Sequence, residues 1–289
     1  MGDELGTVSP RRTVLDKLLV DAAVEAGAEL WEGVTVKELL REDSRVIGVA
    51  GHDEAGRSVE QRAPVVIGAD GTHSTVAKLV QASVYDERPG RGSGYYAYFS
   101  GLPRDAVELG FAQGYFCGVF PTNEGQACVF AGKADERFSE FKGHVDGAHA
   151  EVVRVAVPYI GERLTGAERK SRFFAFRTIP GFFRVPFGPG WALVGDAGYH
   201  KDPVTGHGIT DAFRDAELVA NAVHEALDGE PWDQAFGRYQ RRRDEIAKEL
   251  YETTQEIAAL GWDEDRLLEV FMRFAMASAA EDAAIAAFG

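Results

Sequence analysis

The run WALVGDAGYHKDPVTGHGITDAFRDAELVA, residues 191–220, constrains the fold more than any other stretch. Trp191 to Val194 is a short, continuous apolar run, the pattern of a strand buried on both faces in a parallel sheet. Gly195-Asp196 follows, then a loop holding Pro203, Gly206 and Gly208. Ile209, Ala212, Phe213, Ala216, Val219, Ala220, Val223 and Leu227 then recur at helical spacing, which predicts a helix over 208–227. A strand that passes through a glycine turn into a helix makes a site for an anion or a dipole. The first helical N–H groups lack internal partners, and the macrodipole places about half a positive charge there. Gly206 and Gly208 let the backbone come close to a flat ligand that a Cβ would obstruct. Asp196, at the carboxyl end of the strand, can accept hydrogen bonds from sugar hydroxyls. The residues point to a polyhydroxyl or anionic cofactor, and leave open the plainer reading of an Asp that caps a helix.

A second stretch has the same grammar. Val65 to Ile67 predicts another strand buried on both faces, and Gly68-Ala69-Asp70-Gly71-Thr72-His73-Ser74 turns it toward a short helix beginning near Ser74. Alone this is an ordinary Asp-Gly turn. Two such turns after two buried strands favour binding over punctuation.

Helical spacing also predicts a helix over 10–27, with Val14, Leu15, Leu18, Leu19, Ala22, Ala23 and Ala26 in register and Gly27 as the stop. Short strands follow at AELWEG, VTVKELLRE and RVIGVAGHD. From 81 to 170 the character changes: YYAYFSGLP and YFCGVFPTNEGQACVFAGK alternate, carry many aromatics and read as antiparallel strands, and FSEFKGHVDGAHAEVVRVAVPYI reads as mostly helical. From 232 onward the pattern is nearly all helical.

A 45% hydrophobic content with 11% aromatics is enough for a core in a chain of 289 residues. The net charge of -15 argues against a nucleic-acid partner. The densest basic run, Arg241-Arg242-Arg243, reads as a solvated helix face between acids. Cys117 and Cys128 flank a predicted hairpin; two buried free thiols are favoured over a cross-strand pair. No apolar run is long enough to span a bilayer, and MGDELGTVSPRR lacks the order of a signal peptide, so a soluble, cytoplasmic protein is expected.

GDAGYHKDPVTGHG resembles the second flavin motif of the FAD-dependent aromatic hydroxylase fold, the single-component flavoprotein monooxygenases: Gly195-Asp196, Pro203, then Gly206-x-Gly208. GADGTHSTVAK resembles that family's Asp-Gly motif through Asp70, Gly71 and Ser74. Arg11-Arg12 before Leu15-Asp16 resembles the segment that supplies an arginine to the flavin, with Arg12 the better match. The resemblance runs from about residue 8 to residue 230. It implies an α/β fold: a partial FAD-binding Rossmann-like domain, an inserted antiparallel sheet domain that holds substrate, and a C-terminal helical segment. The expected division is 1–80 and 171–230 for FAD binding, 81–170 for the sheet domain and 231–289 for the helices. The resemblance further implies that Asp196 holds the ribityl chain and that the backbone at 206–209 lies by the flavin ring. His207 would sit near the flavin edge, and Asp70 near the pyrophosphate. NAD(P)H would reduce FAD, and O₂ would form a flavin hydroperoxide that oxygenates an apolar or aromatic small molecule. No metal site is expected.

Members of that family begin with a strand, a GxGxxG turn and a helix. The sequence contains no GxGxxG, so roughly the first hundred residues of the family pattern are expected to be missing. Two further readings share both flavin motifs: a reductase or dehydrogenase of a lipid-like substrate, and a homologue that cannot hold FAD. Halogenation ranks low, because the halogenase Trp-x-Trp-x-Ile-Pro motif is absent.

Overall fold

The computed structural model describes residues 9–103, 106–177 and 179–287. The chain opens with α1 (Arg12–Glu25), β1 (Val34–Glu42), β2 (Arg45–Asp53), β3 (Ser58–Arg62), β4 (Val66–Gly68), α2 (Thr75–Leu79) and β5 (Val84–Arg88). It continues through β6 (Gly92–Ser100), β7 (Glu108–Ala112), β8 (Tyr115–Pro121), β9 (Gln126–Ala134), α3 (Val145–Ala156), α4 (Pro158–Thr165), β10 (Glu168–Arg169) and β11 (Phe174–Arg177). The last part is β12 (Gly181–Arg184), β13 (Phe187–Gly188), β14 (Trp191–Leu193), β15 (Tyr199–His200), α5 (Gly208–Leu227), α6 (Trp232–Ala258) and α7 (Glu264–Ala286).

These elements form two compact units. One comprises Met1–Leu30, Arg91–Thr178 and Ala258–Glu264; the other comprises Trp31–Gly90, Ile179–Ile257 and Asp265–Gly289. The units divide near 90 and 178, where the sequence suggested 80 and 170, and α1 falls in the unit of the aromatic strands.

In that first unit a six-stranded sheet runs β10-β6-β9-β8-β7, with β11 also paired to β6. All its pairings are antiparallel, as the alternating aromatic pattern requires. One face packs against α3 and α4. Ala97, Phe99, Cys117, Val119, Val129, Val152, Val153 and Ile160 meet there, each nearly or fully out of water. Burial of such a side chain stabilises by about 1.5–3 kcal/mol. Val157 leaves helical geometry (φ −144°, ψ 81°) because the next residue is Pro158, which opens α4. Both cysteines are free, and burial pushes each thiol up to about 12. The opposite face carries half-buried Tyr96, Tyr98, Phe130, Phe174 and Phe176, with the Phe130 and Phe176 rings stacked 4.0 Å apart.

The expected helix near the start is present, but none of its residues is buried. The expected AELWEG strand is absent: 28–33 is exposed, pairs with no described strand, follows left-handed Gly27 (φ 101°) and ends at left-handed Gly33 (φ 68°).

The second unit is organised around the β4–β14 pair, which is parallel with Trp191 opposite Val66 and Leu193 opposite Gly68. β14 is buried throughout, as its apolar run predicted. β4 is an edge strand, so Ile67 is exposed and its expected burial on both faces is corrected. The antiparallel β1-β2-β3 meander and the β15-β12-β5 sheet belong to the same unit. A second correction concerns the basic run. Arg241 and Arg242 are solvated, but Arg243 is fully buried. It donates to the carbonyls of Arg184 (3.1 Å) and Gly198 (3.4 Å) and to Asp244 (2.8 Å). Among the described residues no helix is long and apolar enough to cross a membrane.

Candidate functional site

The two strands of the parallel pair end in the two acidic turns. After β14, Gly195 takes φ 52°, and Gly195–Ala197 forms a single 3-10 turn. A Cβ on Gly195 would sit 3.3 Å from the Ala212 Cβ, so both space and backbone favour glycine where the turn meets α5. The Asp196 side chain leaves this turn 46% exposed and makes no hydrogen bond among the described residues. The His200 ring lies beside it, with Nδ1 at 3.3 Å but poorly aligned; both His200 ring nitrogens are buried without a hydrogen-bond partner.

The chain then crosses to α5. Asp202 is buried and accepts from the Val204 N–H at 3.0 Å, which shapes the turn Pro203–Thr205. Gly206 is left-handed (φ 67°), a conformation that costs other residues about 1–2 kcal/mol. No atom lies within 4 Å of the place a Cβ on Gly208 would take. α5 has no side-chain cap, so the first N–H groups of this 20-residue helix and its positive dipole end are left for a ligand.

The turn after β4 is built differently. Asp70 Oδ1 accepts from the Ser74 hydroxyl at 2.5 Å, and Oδ2 accepts from the N–H groups of Thr75 (2.6 Å) and Val76 (3.3 Å). Ser74 Oγ in turn accepts from the Ala77 N–H at 2.9 Å and caps α2. Asp70 therefore secures its own turn, with Gly71 at φ 76° beside it.

Arg184, which the sequence reading passed over, braces the turn that carries Asp196. Its Nη1 donates to the Ala197 carbonyl at 2.8 Å. Burial lowers its pKa, and the charge of Asp70 opposes that shift. The available signal was one cation at the end of the apolar GFFR stretch.

His207 is the third part. Its Nε2 donates to Glu281 Oε2 on α7. Glu281 Oε1 accepts from Arg214 Nη1 at 2.6 Å, and the same nitrogen donates to Asp211 Oδ1 at 2.8 Å. Arg214 Nη2 donates to Asp215 Oδ1 at 2.8 Å, and Lys201 is bonded to Asp211. Lys201, Asp211, Arg214, Asp215 and Glu281 are all nearly or fully buried. Burial alone would raise Asp211, but Lys201 and Arg214 outweigh it and hold its pKa low. For Asp215 burial wins over Arg214 and its pKa is raised. Burial also opposes the ionised Glu281, and His207 and Arg214 overcome it. His207, Asp211 and Glu281 together have the ligand types of a metal site. Lys201 and Arg214 already neutralise those carboxylates, so the cluster is an ion network.

This network overturns the expected polarity of α5. Its first half buries Asp211, Arg214 and Asp215, while Ile209 (38%) and Phe213 (48%) are exposed. Residues from outside the helix decide this, since Lys201 and Glu281 supply the partners that make charge burial affordable.

Asp70, Gly71, Gly195, Asp196, Pro203, Gly206, His207 and Gly208 thus lie in one compact unit, at the ends of one strand pair and the helix after it. Arg12 belongs to the other unit; its side chain is 72% exposed and paired with Asp16 at 2.6 Å. Arg11 is the arginine held in place. Its backbone N–H donates to Asn123 Oδ1 (2.9 Å), its Nη2 donates to Gln126 Oε1 (2.6 Å), and its guanidinium lies 4.3 Å over the Tyr98 ring.

Residues 8–136 match the family model described as "FAD binding domain". The digeranylgeranylglycerophospholipid reductase of Methanosarcina acetivorans is 28% identical over 232 residues, 78% of this chain and 55% of the relative. The chain therefore spans about half the length of that curated protein. Among solved structures, a myxobacterial chondrochloren halogenase aligns with a TM-score of 0.78 at 22% identity, covering 93% of this chain and 67% of the other. The Pseudomonas aeruginosa protein PqsL, in complex with 2-aminobenzoylacetate, aligns with a TM-score of 0.73 at 22% identity, covering 89% and 71%. These two likenesses are of fold.

Proposed function

We propose that the chain, whose residues 8–136 match an FAD binding domain, is a flavoprotein of the FAD-dependent aromatic hydroxylase fold that holds FAD at the ends of β4 and β14 and serves an NAD(P)H-dependent oxidation of an apolar or aromatic small molecule. The observation that carries this reading is the pairing of Asp196 with the turn at Gly206–Gly208. A half-exposed carboxylate without a hydrogen bond stands at a strand end, and an open glycine lies before an uncapped helix. These features suit the ribityl chain and the flat ring of a flavin. A residue with a Cβ at 208 would fill the space the ring needs.

FAD, when bound, supplies the redox and oxygen chemistry. The chain supplies placement and charge. Asp196 accepts hydrogen bonds from ribityl hydroxyls, and Gly195 keeps the turn close to α5. The N–H groups at the start of α5, with the helix dipole behind them, stabilise negative charge that develops on the ring; being fixed in advance, they need not reorganise. Asp70 and Gly71 shape the turn on the pyrophosphate side, and Arg184 braces the one carrying Asp196. The Tyr96, Tyr98, Phe130, Phe174 and Phe176 face of the large sheet supports an apolar or aromatic substrate.

Reduction of a lipid-like substrate is the second reading, favoured by the Methanosarcina relative's name. To test the cofactor, the purified chain is mixed with FAD and desalted, and its visible spectrum is recorded. Retained flavin bands are the expected result; a folded, colourless protein would sink the proposal. NADPH oxidation coupled to O₂ uptake then supports oxygenation, and oxidation coupled only to loss of a substrate double bond supports the reductase.

A further inference from the structure

We propose that Glu281 is a positioning residue for the cofactor-side turn, which makes α7 a component of that site. The proposal rests on the flavin reading of Gly206–Gly208 and deepens it.

Three observations support it. First, the residues that α7 buries along its 23 positions are Val270 and Glu281. Of these two buried positions, one is a carboxylate rather than an apolar side chain. Second, both oxygens of that carboxylate are used. Oε2 accepts from His207, which stands between the two glycines of the turn, and Oε1 accepts from Arg214 at 2.6 Å, two helical turns into α5. One group thus holds the loop and the helix that the loop enters. Third, few side chains anchor the flanking turn: Thr205 meets Thr254 at 3.3 Å and His207 meets Glu281. Gly206 and Gly208 have no side chains to anchor them, and α5 has no side-chain cap. His207 is the turn's side-chain tether between the glycines, and Glu281 is its partner.

Packing alone would not select this residue. A buried ion pair is often matched or bettered in stability by apolar side chains of similar volume. What an apolar residue at 281 could not do is accept a hydrogen bond from His207 Nε2. The Glu281–His207 bond fixes the Nε2–H tautomer, so the imidazole presents its Nδ1 atom in one orientation beside the turn.

The test follows amide hydrogen exchange over 203–211 in the full chain without FAD. Wild type is compared with Glu281→Gln, His207→Ala and His207→Gln, together with the ring ¹⁵N shifts of His207 and the FAD affinity of each protein. His207→Ala is expected to speed exchange in this stretch about tenfold, the size of a lost hydrogen bond to a charged group, with β6–β9 unchanged. His207→Gln, whose amide can still donate to Glu281, is expected to restore slow exchange. Glu281→Gln is expected to lose the Nε2–H tautomer signature and to weaken FAD binding about tenfold. Unchanged exchange in His207→Ala, or acceleration spread evenly over both units, overturns the proposal. His207→Ala leaves the Glu281–Arg214 pair intact, so the question is decided even if Glu281→Gln fails to fold. If wild type binds no FAD, the flavin reading falls and the site role of α7 falls with it. Changed exchange would then show only that α7 holds the loop.

Discussion

The turns after β4 and β14 are nearly the same in sequence and opposite in use. Each puts an aspartate and a glycine at the end of a strand in one parallel pair. Asp70 has both oxygens occupied, by Ser74, Thr75 and Val76, and so is consumed by its own helix start. Asp196 has an exposed carboxylate with no hydrogen bond in the described chain. The lesson is that an acid in a turn reads as a ligand group only when the backbone around it is satisfied by something else. Ser74 and the short α2 need Asp70. The Gly195–Ala197 turn closes on its own backbone carbonyls and is braced by Arg184, and it leaves Asp196 free.

Substitutions can break this contrast. The largest expected effect is at Asp196. Asp196→Ala should weaken FAD retention by about 100-fold, while stability shifts by less than about 0.5 kcal/mol because the side chain is half-exposed and unbonded. Equilibrium dialysis and chemical denaturation on the same protein check both halves. Asp70→Ala should show the reverse order: a loss of about 1–2 kcal/mol in denaturation for the lost bonds to Ser74, Thr75 and Val76, with a smaller change in FAD affinity. If Asp70→Ala costs no stability, the distinction between the turns is wrong. Gly206→Ala should cost about 1 kcal/mol through its left-handed backbone, seen as a lower denaturation midpoint. The smallest effect, again about 1 kcal/mol or less, is expected for Arg184→Met, which leaves the Ala197 carbonyl without its donor. Because Arg184 braces the turn that carries Asp196, its loss should move stability and FAD affinity together.

Much of this was legible in the sequence. The apolar runs at 65–67 and 191–194 announced the parallel pair, and the alternating aromatic stretch announced the antiparallel sheet. The order Gly195, Asp196, Pro203, Gly206, Gly208 located the candidate site. What stayed hidden depends on partners far away in the chain. Ile209, Ala212 and Phe213 have helical spacing, yet the opposite face of α5 is buried, because Lys201 and Glu281 neutralise Asp211 and Arg214. Arg243 looked like part of a solvated run, but the carbonyls of Arg184 and Gly198 converge on it. AELWEG has the composition of a strand and no neighbour to pair with. Periodicity reports which residues could share a face. It does not report which face finds company.

The His207–Glu281 bond joins residues 74 positions apart, and Arg214 reaches the same carboxylate across 67. During synthesis, the loop ahead of α5 therefore emerges long before the group that fixes it. Lys201, Asp211, Arg214 and Asp215 can pair among themselves before α7 is made; the bonds that wait for α7 are those of Glu281 to His207 and Arg214. The anchoring of the loop ahead of α5 is thus a long-range closure, completed by residues near the other end of the unit's sequence.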